Sequence, residues 1–377
     1  MLKKRHQKIL TEMLSLPTAP FAEDHVRRYV FDFCQRHEVH VREDKVGNIL
    51  VHYKHPSCKL KRPLCLCAHM DHPGFRSVRM IDDQTLKAQW HGGVLPEYFP
   101  RAKVRFHSEG RWVHGRVVRT QLKTRGLERP QKMVETAEIR IVRPRRAVVV
   151  PGAPGMWDFP DPQIRGQCIY ARACDDIAGA AAMLSALDTL TRTKAKTEAY
   201  FLFTRAEEVG FIGAIAACQL RTIPLKCLVV AIETSSVLPG VEMGGGPILR
   251  VGDKSTIFNP DLTVWCGRVG DTLAASDKGF TYQRKLMDGG SCESTAYCQL
   301  GYDATGICIA LGNYHNCNRV HGKLAPEYVH LGDVENLIKW FVGLATTKIA
   351  LASGNPPLQK RLGQLERRYD RLLKSTA

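Results

Sequence analysis

The residues most able to do chemistry in this sequence are histidines and carboxylates that stand directly after short apolar runs. His69 and Asp71 follow the run LCLCA and are two residues apart. Two residues is the repeat of a β-strand, so both side chains would leave a strand end on the same side. That arrangement suits a metal ligand with a neighbouring carboxylate, although a lone His-x-Asp pair is more often a hydrogen-bonded surface pair.

Four further stretches carry metal-type side chains where an apolar run ends or a helix begins. The stretches are CDDIAG, TRAEEVG, AIETS and GNYHN, and their candidate residues are Asp175, Asp176, Glu207, Glu208, Glu233 and His315. Three of the four have an ordinary alternative: an acidic pair caps a helix, adjacent glutamates lie in a solvated loop, and a lone histidine is structural. Functional side chains of an α/β sheet gather at strand ends, so five such places together indicate one metal site.

The spacing of apolar residues predicts the elements that must position these side chains. Stripes with helical spacing occupy the first forty residues, and strand-like runs follow at 47–53 and 63–68. Beyond residue 178, helix-like and strand-like segments alternate, ending in a long apolar-faced helix at 331–350. This order predicts an α/β fold, with a three-layer α/β/α domain around a mostly parallel sheet.

Residues 75–165 have a different texture. Short alternating runs interrupted by Gly and Pro predict an inserted β-rich domain there. The main domain is then discontinuous and covers 1–74 and 166–353. The tail, 354–377, is basic and amphipathic, which predicts a helix that caps the domain or meets a partner; its apolar stripe is Leu362, Leu365 and Leu372.

Composition limits the class of protein. The 377 residues include 13 cysteines but no Cys-x-x-Cys pair, and they contain neither a recognisable signal peptide nor the ~20-residue apolar run of a membrane helix. We therefore expect a cytoplasmic protein with reduced thiols and no membrane partner. The formal charge of +17 is concentrated at 101–146, where fourteen Lys or Arg face four Glu. A solvated basic face explains this concentration most simply. Nucleic acid is a less favoured partner, because the sequence has no nucleic-acid-binding motif, but the net charge does not exclude it.

These motifs resemble those of the co-catalytic di-zinc aminopeptidases. The matching stretches are AHMD, CDDIAG, EEVGFIGA, AIET and NYHN. The stretch MGGGPILRVGDKSTIFNP at 243–260 resembles the branch that contains the tetrahedral (TET) aminopeptidases, glutamyl aminopeptidase and the proteins once called cellulase M. The resemblance covers about residues 5 to 345. It implies a di-zinc exopeptidase domain with a small inserted β-barrel for dimerisation, and hence a homo-oligomer.

The resemblance also implies a set of metal ligands. The first cation would be bound by His69 and Glu233, the second by Glu208 and His315, and Asp175 would bridge the two. Two divalent cations held close together need one bridging carboxylate, plus an imidazole and a further carboxylate each, and these residue types supply them. Zinc is the expected ion, and cobalt or manganese could also occupy such ligands.

Further roles follow from the same resemblance. Asp71 would orient His69, and the bond between Asp175 and Asp176 would be cis. Glu207 would be the general base that takes a proton from the water activated by the two metals.

Three positions depart from the family pattern. His72 stands where relatives have an acidic residue, and Glu233 stands where they often have aspartate. The stretch DGGSCESTAY at 288–297 replaces a Gly-Gly-Thr-Asp-like loop near the substrate pocket, which makes Cys292 and Glu293 candidate substrate-binding residues. Substrate preference therefore does not transfer from the relatives.

Three functions remain open on these observations. The favoured one is a metal-dependent aminopeptidase that hydrolyses N-terminal residues of short peptides. The altered 288–297 loop and Glu233 motivate a deacylase or amidohydrolase of small N-acyl compounds, and the basic insertion motivates a non-catalytic binding or assembly protein. Unblocked and N-acylated substrates separate the first two, while salt-sensitive nucleic-acid binding without hydrolysis would favour the third.

Overall fold

The computed structural model describes residues 2–125 and 130–377. Met1 and residues 126–129, which belong to the predicted insertion, lie outside the described part. Among the described residues, no helix has the length and apolar character needed to cross a bilayer.

The described chain alternates helices and strands, with a run of strands in its first half. The helices are α1 (Lys4–Ser15), α2 (Asp24–Arg36), α3 (Ile177–Arg192), α4 (Ile212–Gln219), α5 (Pro260–Ser276), α6 (Glu293–Gln299), α7 (Leu331–Thr346) and α8 (Pro356–Ser375). The strands are β1 (His40–Glu43), β2 (Ile49–Lys54), β3 (Leu64–His69), β4 (Gly74–Asp82), β5 (Thr85–His91), β6 (Lys103–Ser108), β7 (Arg111–Arg125), β8 (Gln131–Arg143), β9 (Pro154–Trp157), β10 (Gln163–Arg165), β11 (Cys168–Ala171), β12 (Glu198–Thr204), β13 (Leu228–Ser236), β14 (Ile248–Asp253), β15 (Gln283–Met287), β16 (Asp303–Gly312), β17 (Cys317–Asn318), β18 (Lys323–Leu324) and β19 (Glu327–His330).

The main sheet has the strand order β1-β2-β12-β3-β13-β16-β19-β11-β10, and β14 and β15 extend it from β16. Its central strands β12, β3, β13 and β16 are parallel to one another. Strand β11 is antiparallel to β19, which is antiparallel to β16, so β11 runs in the same direction as the central strands. The carboxyl ends of all five strands therefore lie at one edge of the sheet, where ligands of such sheets bind.

Both faces of the sheet are covered, which explains why its strands read as continuous apolar runs. Along β3, Leu64, Leu66 and Ala68 pack into the core with α1, α3 and α7. The alternate residues Cys65 and Cys67 point to the opposite face and pack with residues of α4 and α6. The two cysteines act as small apolar side chains, and the three-layer α/β arrangement expected from the sequence is confirmed.

Helix α3 approaches the sheet closely because small residues line it. A Cβ atom at Gly179 would lie 2.4 Å from Asp176 Oδ1 and 2.5 Å from Ile232 Cγ2. Such contacts are shorter than carbon can tolerate, so only glycine fits at this position. The helix therefore starts directly against the loop that carries Asp175.

The inserted segment forms a closed barrel with the strand order β4-β5-β8-β7-β6-β9. An aromatic cluster fills it, with ring centroids 4.6 to 6.1 Å from Phe75; its members are Phe75, Trp90, Phe99, Phe106 and Trp157. The predicted β-rich insertion is thus a barrel whose strands run from Gly74 to Trp157. The predicted insertion, 75–165, also included β10. In the structure β10 pairs with β11 in the main sheet instead.

Candidate metal centre

The shared strand edge brings the predicted metal ligands together. His69 is the last residue of β3, Glu233 lies in the second half of β13, and the other ligands follow strand ends: Asp175 after β11, Glu208 after β12 and His315 after β16. The bond between Asp175 and Asp176 is cis.

Three groups of possible ligand atoms form at this edge; one consists of His69, Glu207 and Glu208, and the other two share Asp175. Of these two, one is His69, Asp175 and Glu233, and the other is Asp175, Glu208 and His315. Within each group the ligand atoms lie within 4.8 Å of one another. Asp175 turns one oxygen to each histidine: His69 Nε2 is 3.6 Å from Oδ1, and His315 Nε2 is 3.7 Å from Oδ2. The arrangement is that of a carboxylate shared between two cation sites.

The unpaired atoms of the site fit divalent cations. His69 Nε2, Asp175 Oδ1, Glu208 Oε1 and Glu233 Oε1 are buried and have no hydrogen-bond partner among the described residues. Unsatisfied buried polar atoms are costly, and a cluster of four needs an explanation. Two ligands each ~2.1 Å from a tetrahedral cation lie about 3.4 Å apart, close to the His69–Asp175 separation. The cluster therefore has the composition and the spacing that a divalent cation requires.

Asp71 holds the turn that carries the two glutamates. Its Oδ1 accepts a hydrogen bond from the Glu207 N–H at 3.0 Å, and its Oδ2 accepts one from the Glu208 N–H at 3.1 Å. The His69 ring is also near: Nδ1 lies 3.1 Å from the Asp71 main-chain oxygen and 3.6 Å from Oδ1. Since Nδ1 faces these oxygens, Nε2 is the nitrogen directed at Asp175.

Glu207 lies beside the ligand groups without belonging to the two that share Asp175. Its Oε2 is 4.0 Å from His69 Nε2, and its side chain keeps 11% of its exposure, against 1% for His69. Burial, with the like charges of Glu233 and Glu208, raises the pKa of Glu207, while His69 opposes the rise. The carboxylate is thus close to the cation sites and still reaches the open side of the cluster.

The two candidate substrate-binding residues of the 288–297 loop are buried and do not face the cavity beside the metal cluster. Cys292 and Glu293 are 1% and 0% exposed, and burial raises the pKa of the Glu293 carboxyl to about 7. Neither lines the cavity next to the metal cluster. From the same loop, Gly289, Gly290 and Ser291 line it instead.

This cavity adjoins the first group of ligands and has a volume of about 160 Å³. Glu233 and Tyr314 line its metal side, and two arginines, Arg250 and Arg319, also line it. Arg250 is only 3% exposed, its Nε has no hydrogen-bond partner among the described residues, and its Nη1 contacts Ser235 Oγ at 3.4 Å. Arg250 and Arg319 thus give the cavity wall positive charge, part of which the carboxylate of Glu233 offsets.

Sequence reasoning missed Glu327, which ties two ligand loops together. Its Oε2 accepts hydrogen bonds from the N–H groups of Cys174 (2.7 Å) and Asp175 (3.1 Å), and its Oε1 accepts one from His315 (2.8 Å). His315 has a left-handed backbone with φ 54°, which this contact helps to hold. The sequence offered one weak signal, an acidic residue that begins the short apolar strand EYVH.

His72 completes the support behind Asp175. Its Nδ1 is 2.8 Å from the Asp175 main-chain oxygen, and its Nε2 is 3.0 Å from Asn316 Oδ1. The Asn316 amide nitrogen donates to the Arg172 carbonyl, so its oxygen is the atom that faces the ring. Both ring nitrogens therefore face acceptors, and Glu327 Oε2 lies 3.8 Å from Nδ1.

Comparison with known sequences identifies a family and one curated relative. A family model described as M42 glutamyl aminopeptidase matches residues 47–340. A curated relative from Acetivibrio thermocellus, described as "Putative aminopeptidase", is 27% identical over 189 residues, which are 48% of this chain and 52% of the relative. The chain thus matches about half the length of that relative.

Solved structures with this fold include archaeal enzymes. An aminopeptidase from Desulfurococcus kamchatkensis has a TM-score of 0.72 at 21% identity, over 91% of this chain and 94% of its own. The TET1 peptidase of Pyrococcus horikoshii, which can assemble into a tetrahedron or a large octahedral shell, has a TM-score of 0.72 at 21% identity, over 90% of this chain and 99% of its own. These likenesses establish the fold. Because the family model matches well over half of the sequence, the chain belongs to the M42 glutamyl aminopeptidase family.

Proposed function

We propose that this protein is a metal-dependent aminopeptidase that removes N-terminal residues from short peptides. The observation that carries the proposal is the pair of ligand groups sharing Asp175, with the carboxylate of Glu207 beside them. Membership of the M42 family supports the same activity. The deacylase and the non-catalytic binding protein have no comparable support.

The five ligands would hold two divalent cations, with zinc as the expected ion and cobalt or manganese as alternatives. Bound cations of this kind supply Lewis-acid polarisation of a carbonyl and lower the pKa of water. His69 and Glu233 serve one site, Glu208 and His315 the other, and Asp175 serves both.

Glu207 would move the proton of the reaction. Its carboxylate takes a proton from the attacking water and later donates it to the leaving amine, as a general base and then a general acid. The group would hold this proton between the two steps. Asp71 fixes the Glu207 backbone through the hydrogen bond at 3.0 Å, so it would position the base.

We further propose that the N-terminal residue enters the cavity lined by Arg250 and Arg319, and that an acidic side chain is preferred there. The buried guanidinium of Arg250 favours a carboxylate over a neutral or basic group. The family description, glutamyl aminopeptidase, agrees with this preference. Substitution of Arg319, at the exposed rim, by Ala should lower kcat/KM for glutamyl substrates more than for leucyl substrates.

The test of the activity compares the protein with Glu207→Gln on amino-acid amides, after chelation and return of zinc or cobalt. We expect metal-dependent cleavage of unblocked amides, and a loss of roughly 10²- to 10⁴-fold in kcat in the variant. The variant should keep its metal content, and Glu242→Gln, an exposed change of the same kind, should keep full activity. Near-normal turnover by Glu207→Gln would refute the proposed base.

The substrate panel also separates the alternatives. Cleavage of N-acylated amino acids, with none of unblocked amides, would favour the deacylase. Salt-sensitive nucleic-acid binding without any hydrolysis would favour the binding protein.

We also propose a cytoplasmic homo-oligomer, a dimer or a larger assembly, in which the barrel joins subunits. The shells formed by the TET1 peptidase of Pyrococcus horikoshii support an assembly of this kind. Light scattering tests it: a monomer at micromolar concentration would contradict the proposal.

A further inference from the structure

The C-terminal helix α8 presents an apolar stripe to solvent. It begins at Pro356, beyond residue 340, where the family match ends. None of its residues is buried. The stripe residues keep 41% to 61% of their exposure and are Leu358, Leu362, Leu365, Tyr369 and Leu372. Exposed apolar side chains in one line on a helix mark a surface for another molecule.

The helix has its own start signals. Pro356 and Pro357 occupy its first turn, where proline fits, and the side chain of Asn355 accepts a hydrogen bond from the Leu358 N–H at 3.4 Å. Lys374 pairs with Asp370, one turn earlier, at 2.9 Å. These contacts lie within the helix and its cap.

The spacing of the stripe points to a second helix. Its members are separated by four, three, four and three residues, an average of 3.5. A 3.5-residue repeat is the seam of a left-handed coiled coil, whereas a helix lying on a broad surface follows the 3.6-residue repeat with a wider apolar face. In heptad positions, Leu362 and Tyr369 are at a; Leu358, Leu365 and Leu372 are at d.

The charges beside the seam select the partner and its direction. Arg361 and Arg368 occupy g positions, and Glu366 occupies an e position. In a parallel pair of identical helices, Arg361 of one copy faces Glu366 of the other, since g pairs with the following e. An antiparallel pair would bring the arginines of the two g flanks together, which is repulsive.

We propose that α8 pairs with α8 of a second copy of this chain as a short, parallel, in-register coiled coil. Two heptads form a weak seam alone, and joining the subunits elsewhere raises the effective concentration of one helix near the other. The helix also has six basic and two acidic residues, so an anionic membrane surface is the competing occupant that the experiment must exclude.

Disulfide trapping in the full-length protein tests the pairing. Leu372→Cys places a thiol in the seam near the end of the helix, and Lys374→Cys, at an outward f position, is the matched control. Under mild oxidation with diamide, we expect at least fivefold more covalent dimer from Leu372→Cys than from the control or the unmodified protein, whose native cysteines set the background. Equal yields of covalent dimer from Leu372→Cys and from the control would overturn the proposal. A preferred disulfide between a Leu358→Cys chain and a Leu372→Cys chain would also overturn it, because that pairing indicates antiparallel helices.

Charge exchange gives an independent test, in which the double exchange keeps the net charge of the chain. In the Leu372→Cys background, Arg361→Glu or Glu366→Arg alone should lower the yield of covalent dimer severalfold, and the double exchange should restore it. Flotation with phosphatidylserine–phosphatidylcholine vesicles tests the competing occupant. Vesicle binding that Leu365→Glu abolishes, together with no specific trapping, would overturn the proposal in favour of a membrane surface. Because α8 is exposed throughout, these variants should retain the melting temperature of the unmodified protein.

Discussion

Replacement of Glu327 by glutamine tests whether one buried carboxylate holds two ligand loops in place. Its two oxygens accept three main-chain hydrogen bonds, from Cys174, Asp175 and His315. Glutamine keeps the shape of the side chain but has only one acceptor oxygen. Whichever way the amide turns, its NH₂ group faces at least one N–H donor, so one or two buried donors lose their acceptor.

The magnitude follows from these contacts. Each buried donor left without a partner costs ~1–3 kcal/mol, so one or two of them give a loss of about 1–6 kcal/mol in the free energy of unfolding. Removal of a group that orients metal ligands typically lowers metal affinity by about 10- to 100-fold.

Two measurements check this expectation. Urea unfolding in the presence of a chelator gives the stability of the metal-free protein, and calorimetric titration with zinc gives the affinity. Glu109→Gln, an exposed change of the same kind in the barrel, is the control and should alter neither. If Glu327→Gln matched the control in both measurements, the carboxylate would not be holding the loops, and the reasoning would be refuted.

Three further predictions concern other parts of the molecule. Burial lowers the pKa of His6 from 6.5 to about 4, so the unfolded chain binds this proton more readily than the folded chain. The free energy of unfolding should therefore fall as the pH drops from 6.5 to 4, and it should fall less in His6→Gln. Urea unfolding at several pH values measures both. Gly179→Ala should lower stability by ~1–3 kcal/mol in thermal unfolding, because its Cβ would meet Asp176 and Ile232. Chelation should lower the melting temperature and zinc should restore it, because a cation present at about 1,000 times its Kd adds ~4 kcal/mol to the free energy of unfolding. An unchanged melting temperature would contradict the cation site.

The sequence predicted the elements whose signals are local. The run LCLCAH is recognisable as a buried strand because both of its faces are apolar, and the structure divides it between two cores as expected. The small-residue segment after Asp176 predicted α3, observed as Ile177–Arg192. The change of texture at residue 75 predicted the β-rich insertion, because alternation with a period of two is also a local property; its form as a barrel was implied by the family resemblance. By contrast, the membership of β10 in the main sheet depends on its pairing with β11, which no local pattern encodes.

The structure brings His69 and Glu233 into one cluster, as the sequence predicted, whereas the sequence did not indicate the contacts of Glu327 and His72 behind that cluster. His69 and Glu233 stand in apolar surroundings where a charged group has no structural reason to be, so their types reveal them. Glu327 and His72 act on main-chain atoms, and a main-chain donor has no signature in a sequence. His72 contacts Asn316, 244 residues away, and such contacts emerge only when the sheet is assembled.

The electrostatics of the cluster explain why its ligands require positive charge. Burial, together with neighbouring Asp175, raises the pKa of Glu233. Burial opposes protonation of His315, yet the carboxylates of Glu208 and Asp175 raise its pKa to about 9. One cause, an excess of buried negative charge, raises the pKa values of both the carboxyl group and the histidine. Divalent cations remove that excess more effectively than protons, because one cation meets several ligand atoms at once. Metal binding should therefore displace protons, and the hydrogen bonds of Asp71 and Glu327 keep the carboxylates in place while the charge is exchanged.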